Sequence, residues 1–513
     1  MGPSPDAPGP PARGAAIRRL AGRTPVLVAA VAVVVGTAVR WWLHRGASPL
    51  VWNDTSEYLR AAGLPLSDVD RWAGPRGVLM PLVLSAASSD LRRFVTEQTL
   101  IAGLAWGSLA MAVASALRGR WRPWVGGGLV LAVSLTWPVA MWDEQVLTES
   151  LALSTLALAA AAALWAARGL TPLRAGALVA TVTSWLVVRD SHVVPVVLAA
   201  LGLAGWAVVR GGDRRRLALL TAGAAVSIAA LVSLSAAHGD RERLPLEHVY
   251  AVRVLPYADR VAWFVEHGMP EDPALLDTPL VRGPGRASYT PLTVGPVGAT
   301  WRAWVGDHGR ATLVRYVLSH PGYVVSEPLH HPERVFNNRK GLDDYRPLAR
   351  REVPGLAAVA YPPVPVTVTV AAAAAVLAWW RRVLGHATFV TGAVLVATSL
   401  PHALVVWHSD GMESARHLLV PGMQLRVGTL LLVVAGVMAR RQGERPRPAR
   451  RRSGTPPSGH DEPPTVARPG ERRPATAPAT GQERASPHTP QPAPRRRDDR
   501  PAPVARRRDG VEG

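Results

Sequence analysis

The chain contains no cysteine. That absence excludes disulfides, thiolate nucleophiles and cysteine-based zinc sites, and it leaves the compartment of the loops unreadable from redox chemistry. Lysine is almost as scarce: Lys340 stands alone against a wall of arginine. With so much alanine, valine and leucine, the arginine excess reads as a compositional bias and not as a set of phosphate forks. Charge of either sign is also nearly missing from ten long apolar stretches. These are Thr24–Leu43, Phe94–Leu117, Trp124–Met141, Thr148–Ala167, Leu173–Val188, His192–Val209, Leu217–Ala236, Val364–Trp380, Thr388–Trp407 and Leu418–Ala439. Most approach the ~20 apolar residues that a helix needs to cross about 30 Å of hydrocarbon. The expectation is an all-α polytopic membrane protein of about ten transmembrane helices.

The mean hydropathy of +0.11 hides this organisation, because it averages an apolar core with a polar tail. A formal charge of +21 is the balance a nucleic-acid binder carries. Its placement favours a membrane protein that keeps basic residues on the cytoplasmic side, so no nucleic acid is expected as a partner. Arg13, Arg18, Arg19 and Arg23 precede the first stretch and place the N-terminus in the cytoplasm. That stretch ends on Arg40-Trp41-Trp42 without a small-residue cleavage site, so it reads as a retained helix. If every stretch crosses, the inner connections are Arg118–Arg122, Arg168–Arg174, Arg210–Arg216, Arg381-Arg382 and everything after Arg440, all of them basic. The outer ones are His44–Arg93, Trp142–Leu147, Arg189–Ser191, Ala237–Pro363 and His408–His417, which hold nearly all the acids outside the tail. Both termini are therefore expected in the cytoplasm and the protein in the plasma membrane.

Five regions follow from this pattern. Residues 1–23 form an inner N-terminal segment, and 24–236 carry helices one to seven, with a first outer loop at 44–93. Residues 237–363 form a small extracytoplasmic domain between helices seven and eight, 364–439 carry helices eight to ten, and 440–513 form a basic tail. Within the first loop, Val78–Ala87 is apolar but too short to span, which suits an interfacial or re-entrant piece. Within the outer domain, Thr300–Val325 has the one-face spacing of a helix and stops at His320-Pro321-Gly322, while Pro270–Pro296 reads as loop. The tail, with 18 arginines and 9 acids, is Pro-, Arg- and Ala-rich without apolar periodicity. It is expected to be disordered, with attraction to membrane lipids as a minor role.

Chemistry is expected where acids and bases cluster at the outer face. Asp54 and Glu57 in the first loop are spaced to share a helix face. A carboxylate there can act as general base toward an acceptor hydroxyl; equally, Asp-x-x-Glu is a capping-box pattern. Asp143, Glu144 and Glu149 crowd the second outer turn, as a metal or a sugar's hydroxyls would require, or as Thr148 and Glu149 would in capping helix four. Arg189, Asp190 and His192 form the third turn, either to hold a phosphate or to lock a hairpin by an ion pair. Glu413, Arg416 and His417 close the last outer loop as an anion site, a metal site or a solvated turn. His330-His331 with Glu333 and Arg334 is a weaker cluster.

The assembled pattern resembles the GT-C superfamily of membrane glycosyltransferases, and within it the bacterial proteins related to protein O-mannosyltransferases and aminoarabinose transferases. The resemblance rests on Trp52-Asn53-Asp54-Thr55-Ser56-Glu57-Tyr58, Gly74-Pro75-Arg76-Gly77-Val78-Leu79-Met80-Pro81-Leu82, Thr148-Glu149-Ser150-Leu151, Arg189-Asp190 and the long loop after helix seven, across about Arg19–Arg440. It implies a sugar donor on polyprenyl phosphate and an extracytoplasmic acceptor in the cell envelope. It also implies an acid of the first outer loop as base, matching Asp54, and arginines near the membrane for the donor phosphate, matching Arg76, Arg189 or Arg416. Many relatives carry paired acids in that loop, whereas Asn53 precedes Asp54 here, which leaves the part of Glu57 open. No cofactor is implied beyond a possible divalent metal ion. The competing classes are a transporter or lipid flippase, which would put charges deep in the spans and repeat its halves, and a cell-envelope scaffold, whose acids would tolerate replacement.

Overall fold

The structure is a computed structural model. It describes residues 33–74, 76–212, 214–238, 243–271, 298–330, 351–411 and 413–439, with a few further single positions. The tail and most of Pro270–Pro296 lie outside the described residues, as does the cluster at His331–Arg334.

Each of the ten apolar stretches is helical where described, from residues 33–44 of the first to Leu419–Met438 of the last. Among the described residues six helices are long and apolar enough to cross a membrane, or seven if one bent pair is a single span. The Glu149–Ala167 and Ser414–Met438 segments form the centre, with 72% and 83% of their apolar windows buried. The segments Asp190–Val209 and Arg215–His238 lie outermost, with only 28% buried and leucines such as Leu220 and Leu231 turned outward. A lipid solvent permits this, since apolar side chains lose nothing by facing acyl chains.

Small residues set how closely the helices approach. Gly103 and Gly107, one turn apart on Leu91–Ala116, lie against the first helix. A Cβ added to Gly103 would sit 2.9 Å from Thr37 Cα, and one on Gly107 2.8 Å from Val33 Cα. Gly392 and Gly428 meet reciprocally, each with the other's carbonyl oxygen at the would-be Cβ, at 2.8 and 2.9 Å. These contacts replace the missing hydrophobic drive between helices in lipid with close van der Waals packing.

The third stretch departs from a single span. It breaks after Ser134 and resumes at Trp137, bent by 62°. Pro138 in the second half has no backbone N–H and its ring clashes with a preceding carbonyl, so the helix cannot run through. The bend turns Met141–Glu144 back against the segment that follows the first helix. There Leu50 N–H donates to Glu144 O at 2.9 Å and Val146 N–H to Leu50 O at 2.9 Å. The expected short apolar piece is the helix Leu79–Ala86.

The region between Arg215–His238 and Val364–Trp380 has its own aromatic core of Tyr250, Phe264, Trp301, Trp304 and Tyr316. The expected helix at Thr300–Val325 is three pieces. Val305–Gly309 is a π-helical turn containing Gly306 and Gly309, and a stop after Ser319 precedes a new helix that starts on Pro321. Glycine lowers helix propensity and proline suits a first helical position. This region packs on the end of Ala387–Ser409 and the residues after it through Arg253, which donates to Asp410 O at 2.9 Å and stacks over Trp407 at 3.9 Å.

Candidate functional site

Five chain segments meet at one end of the bundle. The helix Thr55–Gly63 brings Asp54 and Glu57, and the connection before Leu79–Ala86 brings Arg76. The start of Glu149–Ala167 brings Glu149, the turn after Pro172–Leu186 brings Arg189, and the start of the last span brings Glu413, Arg416 and His417.

Arg416 is the hub, buried to 4% exposure. Its guanidinium lies 3.1 Å from Asp54, 3.2 Å from Glu149 and 2.7 Å from Glu413. Arg76 bridges the two first-loop acids, at 2.8 Å from Asp54 and 2.5 Å from Glu57. Arg189 pairs with Glu149 and donates to Thr148 Oγ1 at 2.9 Å. Four carboxylates thus share three guanidiniums. His417 extends the set by pairing with Asp410. Tyr345 adds a hydroxyl that donates to Glu413 at 3.0 Å, and its ring packs 4.9 Å from that of Trp52.

The capping alternatives fail on this geometry. Asp54 flanks its helix in helical conformation and makes no capping bond, because its carboxylate is drawn to Arg76 and Arg416. Thr148 likewise caps nothing and instead accepts from Arg189. A guanidinium offers a charge-assisted bond stronger than that of a neutral backbone amide, so it wins the carboxylate.

Burial by itself would raise the Asp54 carboxyl, but Arg416 and then Arg76 outweigh it and hold it below the ordinary carboxylate range. Arg76 stays charged: burial opposes its charge, and Tyr58, Asp54 and Glu57 more than compensate. Tyr58, under Arg76 at 5.4 Å, has its phenol pushed up by burial and by Asp54. Burial pulls His248 down despite Asp410 and Glu413, so a neutral imidazole borders the cluster. The second oxygen of Glu149 has no hydrogen-bond donor among the described residues, and Glu149 is fully buried.

The other sequence candidates lie elsewhere. Asp143 is fully buried in a lock, accepting from Arg40 at 2.5 and 3.1 Å and from Ser150 at 2.7 Å. Glu144 faces His44 Nδ1 at 2.7 Å. These contacts join the first helix to the bent third one. Asp190 pairs with Arg241 at 3.1 Å, and Arg241 also donates to Gly74 O at 2.6 Å, which steadies the segment carrying Arg76. His192 is buried against Trp185, its Nδ1 2.7 Å from Trp185 O, with His402 on its other side. Among the described residues no group of three or more His, Asp or Glu side chains is arranged to hold a metal ion.

Sequence reasoning passed over Arg40, His44, Arg241 and Tyr345. Arg40 carried a readable signal, a charge at the end of an apolar stretch that has to be paired; Tyr345 carried none. A scan against family models finds no match, and a search of curated proteins finds no significant relative.

Proposed function

We propose that the chain is an integral membrane glycosyltransferase that moves a sugar from a polyprenyl-phosphate donor to an extracytoplasmic acceptor. The observation that carries this reading is the convergence of Asp54 with Arg76, Arg189 and Arg416 at one mouth of the bundle. The site has a carboxylate to take a proton and guanidiniums to hold a phosphate, within reach of a lipid that slides between helices. The reading extends to ten spans with both termini inside. Every segment that supplies the cluster is an outer one in that topology, whereas the basic inner connections pack together at the far end. There Arg122 donates to Met438 O at 2.9 Å and Arg381 to Val437 O at 2.7 Å, capping the last helix.

In the reaction the acceptor hydroxyl oxygen attacks the anomeric carbon and Asp54 takes the hydroxyl proton. The bond from that carbon to the phosphate oxygen breaks, and polyprenyl phosphate leaves with the electron pair. Arg416, Arg189 and Arg76 neutralise the charge that develops on the leaving phosphate. At rest these guanidiniums are occupied by carboxylates. Donor phosphate therefore has to displace Asp54 from Arg416, and that exchange raises the basicity of the carboxylate when it is needed. Glu57 keeps Arg76 in place, and the open oxygen of Glu149 orients the acceptor.

The test is glycosyl transfer by the full chain in detergent across a panel of polyprenyl-phosphate sugars, with Asp54→Asn beside it. Turnover that falls about 10²–10⁴-fold in the variant supports the base assignment. Full turnover in the variant overturns that assignment, and no turnover across the panel moves the reading to transport. Transport has one observation in its favour: the last span carries a buried cation, Arg426, bonded to Pro362 O at 2.9 Å and Gly422 O at 3.0 Å.

A further inference from the structure

The helix Glu149–Ala167 starts in the acid–arginine cluster and runs 19 residues, so its far end lies about 28 Å away. At that far end a second group of arginines gathers, with no acid in it among the described residues. Arg118 follows the helix Leu91–Ala116, Arg168 ends Glu149–Ala167, Arg174 lies in the first turn of Pro172–Leu186, and Arg214 precedes Arg215–His238. Gly169, at a positive φ of +145° that favours glycine, sits between two of them. A Cβ there would lie 3.3 Å from Arg214 Nη1 and 3.6 Å from Arg174 Nη1. Arg168 donates to Ser115 Oγ at 2.8 Å, which draws it to the end of the neighbouring helix. Burial, then Arg174 and Arg118, push the Arg168 guanidinium pKa down, the mark of like charges held close. His386 adds a fifth basic group: burial lowers it, a backbone bond at Ala116 raises it, and Arg168 and Arg118 lower it further.

None of these four arginines has a carboxylate within ion-pair distance among the described residues. Asp213, the one acid of these connections, lies outside the described residues. Two helices also begin here, at Pro172 and Arg215, and their N-terminal dipoles add positive potential. Like charges this close repel in any medium, and the repulsion grows as water is excluded. A bound anion removes it, and guanidiniums suit phosphate oxygens bidentately. Exposed tryptophans flank the basic connections: Trp121 and Trp124 at the start of Arg122–Ser134, Trp206 near the end of Val193–Arg210, and Trp379 and Trp380 at the end of Val364–Trp380. Such a girdle marks the headgroup plane of a bilayer.

We propose that Arg118, Arg168, Arg174 and Arg214 form a phosphate-binding site, filled by the headgroup of an anionic phospholipid at the bilayer surface opposite the acid–arginine cluster. Three loops are tied together by that phosphate, so the lipid braces the basic end of the bundle.

The experiment uses the full chain in neutral detergent and reads the thermal midpoint of unfolding. Phosphatidylglycerol, phosphatidylcholine and inorganic phosphate are titrated in turn. The expected result is a rise with phosphatidylglycerol and none with phosphatidylcholine, and at least about tenfold more phosphatidylglycerol needed by Arg168→Gln/Arg174→Gln for the same rise. Arg495→Gln/Arg496→Gln, with the same charge loss in the tail, should titrate like the wild type. A rise with inorganic phosphate that the double variant also loses keeps the site and assigns it to a free ion. Identical titrations for wild type and double variant overturn the proposal. Should the double variant fail to assemble, Arg118→Gln decides, since that side chain makes no hydrogen bond among the described residues.

Discussion

Arg416→Gln is the substitution that most directly probes the outer cluster. It removes a buried guanidinium that touches three carboxylates, at 3.1, 3.2 and 2.7 Å. Breaking a buried ion pair by deleting one partner costs about 3–5 kcal/mol, because the other charge is left buried and uncompensated. Asp54 keeps Arg76 and Glu149 keeps Arg189, so the expected cost is at the lower end, about 3 kcal/mol. Denaturation by sodium dodecyl sulfate in mixed micelles measures it. A pH series adds a sign. In the wild type the Asp54 carboxyl lies below its ordinary value, so its stabilising contribution is complete above pH about 4 and is lost as pH falls through the lowered folded value. In the variant the largest lowering influence is gone and burial, which raises the carboxyl, dominates. Acidification from pH 7 to about 5 should then stabilise the variant while the wild type stays flat. A variant within about 0.5 kcal/mol of wild type, or parallel pH profiles, would refute the assignment of Arg416 as the hub.

Arg40→Leu should cost about 3–5 kcal/mol by stranding Asp143, and Arg40→Leu/Asp143→Leu should recover most of it, as a double-mutant cycle in the same denaturation assay would record. Cooperative loss from the double variant beyond the single would count against a locking role. Gly107→Val forces a side chain into the backbone of the first helix and should destabilise by about 1–3 kcal/mol, whereas Gly128→Val, with open space at its Cβ, should be near neutral. In the region between Arg215–His238 and Val364–Trp380, Tyr323 has its phenol pushed up to about 12 by burial and then by Glu327. Its contribution to stability is complete below pH 10 and is lost as pH rises toward 12, so ultraviolet titrations of wild type and Tyr323→Phe should coincide near pH 10 and differ by one ionising tyrosine near pH 12.

The helices were legible because a membrane imposes a local rule. Each apolar stretch has to satisfy its own backbone, so length and hydropathy suffice to locate it. The bend in the third stretch was legible in principle from Pro138, and the stop before Pro321 was read directly. The segregation of arginine from acid likewise lies in the order of residues alone. It sorts the connections into a basic set and a set that holds the acids.

What the sequence left open was which charges do what. Asp54 read equally well as a cap or as a base, and only its contact with Arg416, 362 positions away, settles where its carboxylate goes. Asp143 and Glu149 are six residues apart and looked alike. One is locked to Arg40, 103 positions away, and the other joins Arg189 and Arg416. The physical reason is that hydropathy is a property of a segment, read within one helix, whereas an ion pair is a property of two helices and the angle between them. The sequence by itself determined the helices and their charged ends. The tertiary structure alone decided which of those charges meet.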